Sequence, residues 1–209
     1  MTKEEIQQII NNYASESFPY TDNYEHRFEK VSSGIMYAFI RERKPTAVLE
    51  IGSSHGGSTS VIMSALIKNN QPFTFISSEI ADDLRHEAKQ NVFNENGRFP
   101  VMVGDITKNI DAIPEVLDFV FVDTNHDLPV TQWILENIVP RIKIGGMYCM
   151  HDWAVWHEGD QIKSKGDGND WNETGFLMDL IKTNQFPFKE VFWTYKVTGE
   201  QESGFWEKI

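Results

Sequence analysis

Residues 46–59 read Thr46-Ala47-Val48-Leu49-Glu50-Ile51-Gly52-Ser53-Ser54-His55-Gly56-Gly57-Ser58-Thr59, an apolar run that passes straight into a glycine-rich turn and then into a helix. Val48, Leu49 and Ile51 suit a central strand, where aliphatic side chains pack on a pleated surface. Gly52, Gly56 and Gly57 let backbone approach a ligand where a Cβ would collide. Glu50 and the first amides of the helix are expected to line the mouth of the pocket so formed. A dinucleotide site would read G-x-G-x-x-G, with a pyrophosphate on the helix N-terminus. Here Ser54 holds the second glycine position and an acid precedes the first, so the fit to a nicotinamide site is poor.

Outward from this turn the chain alternates. Phe28, Val31, Ile35, Phe39 and Ile40 recur at helical spacing and predict a helix over 24–43, with another over 3–15 ahead of it. Downstream, the pattern predicts a strand over 47–51, a helix over 58–68, a strand over 73–77 and a helix over 82–93. Strands over 100–103 and 117–122, a helix over 129–142 and a strand over 146–150 follow. Such an alternating series calls for a parallel sheet covered on both faces. A last helix over 173–183 precedes two strand-like runs, 190–197 and 203–208, joined by Thr-Gly-Glu-Gln as a terminal hairpin.

The 209 residues, 40% of them hydrophobic, suit one domain over 1–209. Within it, 1–44 hold the leading helices, 45–152 the cofactor-binding core, 153–174 a lid loop, and 175–209 the last helix and hairpin. The loop is polar and punctuated by glycine, and Trp153, Trp156 and Trp171 in and beside it offer a face to an apolar or ring-shaped substrate. Its Asp-Gly-Asn-Asp run lacks the spacing of a calcium-binding loop. The two leading helices suit either a homodimer face or a substrate cap.

A formal net charge of -12 without a Lys/Arg cluster argues against nucleic acid as a partner and for a neutral or cationic small molecule. Cys149 is the only cysteine, which excludes an internal disulfide or a Cys-based zinc cluster, and its apolar neighbours mark it as a buried small hydrophobe. The first ten residues lack the apolar core of a signal peptide, and no run of about 18 apolar residues occurs. A cytoplasmic protein without a membrane partner is expected.

Open sheets of this kind bind ligands outside the carboxyl ends of their strands. Glu50, Glu79, Asp105, Asp123, His151 and Asp152 all stand there. The two oxygens of Glu79 can accept from both hydroxyls of a ribose, or the acid can simply favour the helix that follows. Asp105 belongs to a Gly-Asp turn, which also arises for local reasons. Asp123, His151 and Asp152 offer two hard carboxylates and an imidazole, a set able to gather Mg or Mn, and a bound cation lowers the pKa of a hydroxyl. His151 can instead orient a partner or cap the loop. His126 titrates near neutrality and is the candidate general base, against the alternative of a solvated loop histidine. Asp118 begins its strand at the far edge and is expected to be structural.

The stretch Glu50-Ile-Gly52-Ser-Ser-His-Gly56-Gly57-Ser-Thr resembles the first motif of class I S-adenosylmethionine-dependent methyltransferases, especially the small O-methyltransferase-like branch. The resemblance implies an α/β fold, Rossmann-like and doubly wound, with a mostly parallel seven-stranded sheet ending in an antiparallel C-terminal hairpin. It also implies that Glu50, Gly52, Ser54 and the turn through Gly56 hold the methionine end of the cofactor. Glu79 would hold the ribose, Ile80 would lie beside the adenine, and Asp105 and Ile106 would meet the adenine edge. Asp123 and His126 match the metal-ligand aspartate and the general-base lysine of the catechol type; His151 and Asp152 stand where that type has an Asp-Asn pair, a departure in the metal corner. The implied activity is transfer of a methyl group from S-adenosylmethionine to a hydroxyl of a small-molecule acceptor, a sugar or a phenolic, with Mg or Mn assisting. A nicotinamide-dependent oxidoreductase and a noncatalytic cofactor-binding protein are the rival readings on the same sheet.

Overall fold

Apolar side chains on both faces of each strand require a layer of helices on either side of the sheet. The computed structural model describes residues 2–18, 30–125, 127–151, 172–193 and 203–209. Two helices, α1 (Lys3–Tyr13) and α2 (Lys30–Arg43), lead into β1 (Ala47–Ile51), α3 (Gly57–Lys68), β2 (Thr74–Ser78), α4 (Asp82–Asn96) and β3 (Val101–Val103). After two 3-10 turns come β4 (Leu117–Val122), α5 (Leu128–Asn137), β5 (Ile142–Met150), α6 (Asn172–Lys182), β6 (Phe188–Trp193) and β7 (Gly204–Lys208). The seven strands form one sheet in the order β3-β2-β1-β4-β5-β7-β6. Neighbours from β3 through β5 pair in parallel, whereas β7 runs antiparallel to both β5 and β6. The expected hairpin is therefore present, and its second strand is the one that joins the sheet.

Strand periodicity sorts the core into two layers. Val48, Phe119, Phe121, Met147, Cys149 and Phe205 pack on one face with α2 and α3. Leu49, Ile51, Val120, Val122, Tyr148, Met150 and Trp206 pack on the other with Ile134 of α5 and Leu177 of α6. Cys149 is free and fully buried, and burial pushes its thiol well above the usual range.

Several boundaries differ from expectation for local reasons. The helix expected over 129–142 ends at Asn137, and a 3-10 turn, Val139–Arg141, takes over around Pro140, which cannot continue an α-helical ladder. β5 begins at Ile142 rather than at 146, with a bulge against β4 between Leu117 and Phe119. α4 runs on to Asn96. The last three residues expected in the lid, 172–174, open α6; the rest of that loop, 153–171, lies outside the described residues, as do 194–197 of the first hairpin run. Among the described residues no helix is long and apolar enough to cross a membrane.

The amino ends of three strands are tied by one acid. Asp118 Oδ2 accepts from the Thr46 amide (2.6 Å), the Thr46 hydroxyl (2.8 Å) and the Ala47 amide (2.9 Å), while Lys143 Nζ lies 2.6 Å from Oδ1. Burial opposes ionisation there, but the Lys143 ammonium and the Thr46 and Ala47 donors outweigh it and hold the carboxyl down at about 2. Asp118 is structural, as its place at the far edge implied.

Candidate active site

The turn after β1 is shaped by neighbouring backbone. Gly52 has φ +90, and a Cβ there would stand 1.8 Å from the Asp123 carbonyl oxygen. Its amide and that of Ser53 both donate to the Ser78 carbonyl, at 2.9 and 3.2 Å. Gly56 has φ +91, and a Cβ would meet Ala88 backbone and a Val92 methyl at 3.1 Å. These glycines admit the tip of β4 and the flank of α4, a physical reason different from the ligand approach expected of them. The turn is fastened to α4 a second time by Asn91 Nδ2, which donates to the His55 carbonyl at 3.0 Å.

Glu50 does not line the mouth. It is wholly buried beneath the turn, where its carboxylate accepts from the hydroxyls of Ser58, Thr59 and Ser77, each at 2.6 Å. Burial pushes the carboxyl up, the hydroxyls offset this in part, and the charge of Asp123 adds to the rise, to about 7. The acid thus clamps β1, the first turn of α3 and β2 together under the site.

Above this floor a cavity of about 290 Å³ opens at the carboxyl ends of β1 to β4. Its walls are Ile51 and Gly52, residues 78–80, 104–107 and 123–125, and Val130 of α5. Gly52, Glu79, Asp105, Ile106 and Asp123 are therefore brought together in its wall, and Glu50, Ser54 and Gly56 are not among the residues that line it. Ile80 is 74% exposed at the rim. Glu79 Oε2 accepts from the Ser54 amide at 2.8 Å and Oε1 from the Ala81 amide at 3.0 Å. Asp105 Oδ1 accepts from the Thr107 amide (3.0 Å) and hydroxyl (2.7 Å), and Oδ2 lies 3.0 Å from Lys108 Nζ. The Thr107 hydroxyl, then Lys108, hold its carboxyl below the usual range.

At the tips of β4 and β5 the Asp123 amide donates to the Ile51 carbonyl and the His151 amide to the Val122 carbonyl, both at 2.9 Å. Nδ1 of the buried His151 lies 3.3 Å from Asp123 Oδ1, and the Asp123 side chain is about one-third exposed. His126 and Asp152 lie outside the described residues. Among the described residues, no three His, Cys, Asp or Glu side chains gather closely enough to hold a metal ion.

Sequence reasoning missed Ser78, Thr107, Thr124, Asn125 and Val130 in the wall, and Arg85, whose Nη1 donates to the Glu79 carbonyl at 3.1 Å. Ser78 and Thr124 stand at, or two residues beyond, a strand end, and that position is the signal that would have found them.

The architecture is that of an open α/β sheet with a cavity at the strand tips. A family model described as a methyltransferase domain matches residues 49–153, half of the chain, and the chain belongs to that family. It is a methyltransferase by that membership. The O-methyltransferase from Bacillus cereus, solved in complex with SAH, superposes with a TM-score of 0.69 at 16% identity, over 100% of this chain and 92% of that one. The O-methyltransferase TomG from Streptomyces achromogenes, involved in tomaymycin synthesis and solved with SAM, gives 0.67 at 14% identity over 100% and 91%. SAH-bound PaMTH1 of Podospora anserina, also a methyltransferase, gives 0.66 at 14% identity over 100% and 97%. At these identities the likeness is one of fold. No curated protein sequence matches the chain significantly.

Proposed function

We propose that this methyltransferase transfers the methyl group of S-adenosylmethionine to a hydroxyl of a small molecule, a sugar or a phenolic. The observation that carries this reading is the cavity itself: it opens at the carboxyl ends of β1 to β4 in a methyltransferase-family domain, with an acid in its wall beyond each of β2, β3 and β4 where a nucleoside donor needs an acceptor. Glu79 meets the ribose, Ile80 and Ile106 flank the adenine, and Asp105 turns an oxygen to its amino group. Gly52 and the turn through Ser54 and Gly56 receive the methionine end. The SAH- and SAM-bound neighbours share this fold, which supports the donor.

In the reaction an oxygen lone pair of the acceptor attacks the methyl carbon in line with the carbon–sulfur bond. That bond breaks with its electron pair passing to sulfur, and a neutral thioether leaves. Holding the two reactants at attack distance supplies much of the rate. The hydroxyl proton passes to His126, the residue three positions beyond the strand-tip acid Asp123.

Asp123 and His151, with Asp152 next to His151 in the sequence, would hold a divalent cation. A separation of 3.3 Å between Asp123 Oδ1 and His151 Nδ1 suits two neighbouring ligands of an ion bound at about 2.1 Å. Mg or Mn held there would lower the pKa of the acceptor hydroxyl.

Calorimetric titration with S-adenosylhomocysteine and with NAD is the deciding measurement. Binding of S-adenosylhomocysteine, weakened at least about tenfold by Glu79→Ala as a hydrogen bond to a charged acceptor is lost, is the expected result. Tighter binding of NAD would overturn the reading. With an acceptor in hand, loss of turnover in chelator and its restoration by Mg or Mn would support the metal; full turnover in chelator would remove it and leave His126 alone.

A further inference from the structure

Ser54 is one of only four non-glycine residues with positive φ among those described, at +45, midway round the turn that carries Gly52 and Gly56. Left-handed backbone is unfavourable for a serine, so something outside the residue must hold it there. The turn is closed by the Gly56 amide, which donates to the Ser53 carbonyl at 2.7 Å, and the side-chain holder is Glu79, whose Oε2 accepts the Ser54 N–H at 2.8 Å. Glu79 is itself fixed on three sides: its amide donates to the Val103 carbonyl at 3.0 Å, its carbonyl accepts from Arg85 Nη1 at 3.1 Å, and Oε1 accepts the Ala81 amide at 3.0 Å. A carboxylate offers about four acceptor positions, so these two amide bonds leave one on each oxygen for a ligand hydroxyl. Bracing the turn and receiving a ribose therefore do not compete.

We propose that Glu79 is a latch as well as a ribose acceptor: by holding Ser54 in its left-handed conformation it keeps the glycine turn in the shape that receives the amino-acid end of the donor. The proposal rests on the donor assigned above. It makes the two halves of the cofactor communicate through one side chain, since the acid at the tip of β2 sets the geometry of the turn after β1.

Adenosine and S-adenosylhomocysteine share the ribose, and only the second reaches the turn, so the ratio of their affinities cancels the direct ribose contact. Expected is that Glu79→Ala weakens adenosine but weakens S-adenosylhomocysteine about tenfold more, the value of a lost hydrogen bond to a charged acceptor. Adding Ser54→Gly to that variant recovers at least half of the excess on a logarithmic scale, because glycine takes positive φ without help. Equal losses on the two ligands, or an excess untouched by Ser54→Gly, overturn the latch and leave the donor reading intact. Failure of the unaltered chain to bind either ligand overturns the donor reading first. A measurement on the unaltered, ligand-free chain guards against variants that do not fold: the Ser54 amide should exchange with solvent at least about tenfold more slowly than in a free peptide. Exchange at the free rate overturns the latch.

Discussion

Glu50 and Asp118 are carboxylates on the paired strands β1 and β4, one beneath the carboxyl-end cavity and the other at the amino edge. Asp118 meets an ammonium, two backbone amides and a hydroxyl, and its carboxyl is held at about 2. Glu50 meets three neutral hydroxyls, with no cation among its hydrogen-bond partners in the described residues, and is pushed to about 7. Glu50 is wholly buried and its hydroxyl donors only offset part of the desolvation, whereas Asp118 is less deeply buried and its ammonium and amide donors outweigh it. The amino end is built for stability. The carboxyl end accepts a poorly compensated acid under the wall that carries Glu79, Asp105 and Asp123, an acidic surface suited to the cationic donor proposed above.

The comparison breaks most visibly if Glu50 is removed. Glu50→Ala leaves three buried hydroxyls facing a hole, and a loss of about 3–5 kcal/mol in urea unfolding at pH 7 is expected. A loss below about 1 kcal/mol would mean that the hydroxyls satisfy one another and that the clamp holds nothing.

Next in size is the pH dependence of the same acid. Its folded pKa, about 7, lies above the ordinary 4.5, so the protonated form is favoured by folding. Its contribution is complete below about pH 4.5 and is lost as pH rises through 7, by up to about 3 kcal/mol. Glu50→Gln keeps the shape and cannot ionise; the difference in stability between pH 5 and pH 8 should shrink in that variant, and an unchanged slope would point to another group.

Asp118 gives a smaller effect of opposite sign. Its pKa is depressed from 3.8 to about 2, so its contribution is present above about pH 4 and is lost as pH falls through 2. Asp118→Asn should remove about 2 kcal/mol of stability at pH 7 and flatten acid unfolding in that window. If Asp118→Asn unfolds in acid as the natural chain does, the staple at the amino edge is not what distinguishes the two ends.

Much of the scaffold was readable because strand and helix periods differ: β1 and β4 begin and end at the residues their apolar runs predict. α5 was read too long because its apolar pattern continues past Asn137, and the period carries no warning that Pro140 turns the next residues into a 3-10 segment. The acids at the strand tips were legible by position. Glu50 was not, because β1 is buried on both faces and alternation cannot say which way its carboxylate turns. Nor does order along the chain reveal that hydroxyls eight, nine and 27 residues away converge on it. The glycine turn was legible in the sequence, but the backbone that crowds Gly52 was not, since it comes from Asp123, 71 residues further on.

The placing of β7 between β5 and β6 sets an order in time as well as in space. During synthesis β6 leaves the ribosome before the strand that will connect it to the sheet. Until residues 204–208 follow, the outer edge of β5 and the facing edge of β6 both present unpaired amides and carbonyls, the kind of template that invites another chain to add a strand. The nascent protein therefore passes through a stage in which its first five strands can already be paired while a gap one strand wide stands open beside them. Closing that gap pairs Met150 with Gly204 and Met147 with Glu207 across more than fifty residues of intervening chain, a slow kind of contact to make. Whatever guards the growing chain against aggregation has to act in that interval.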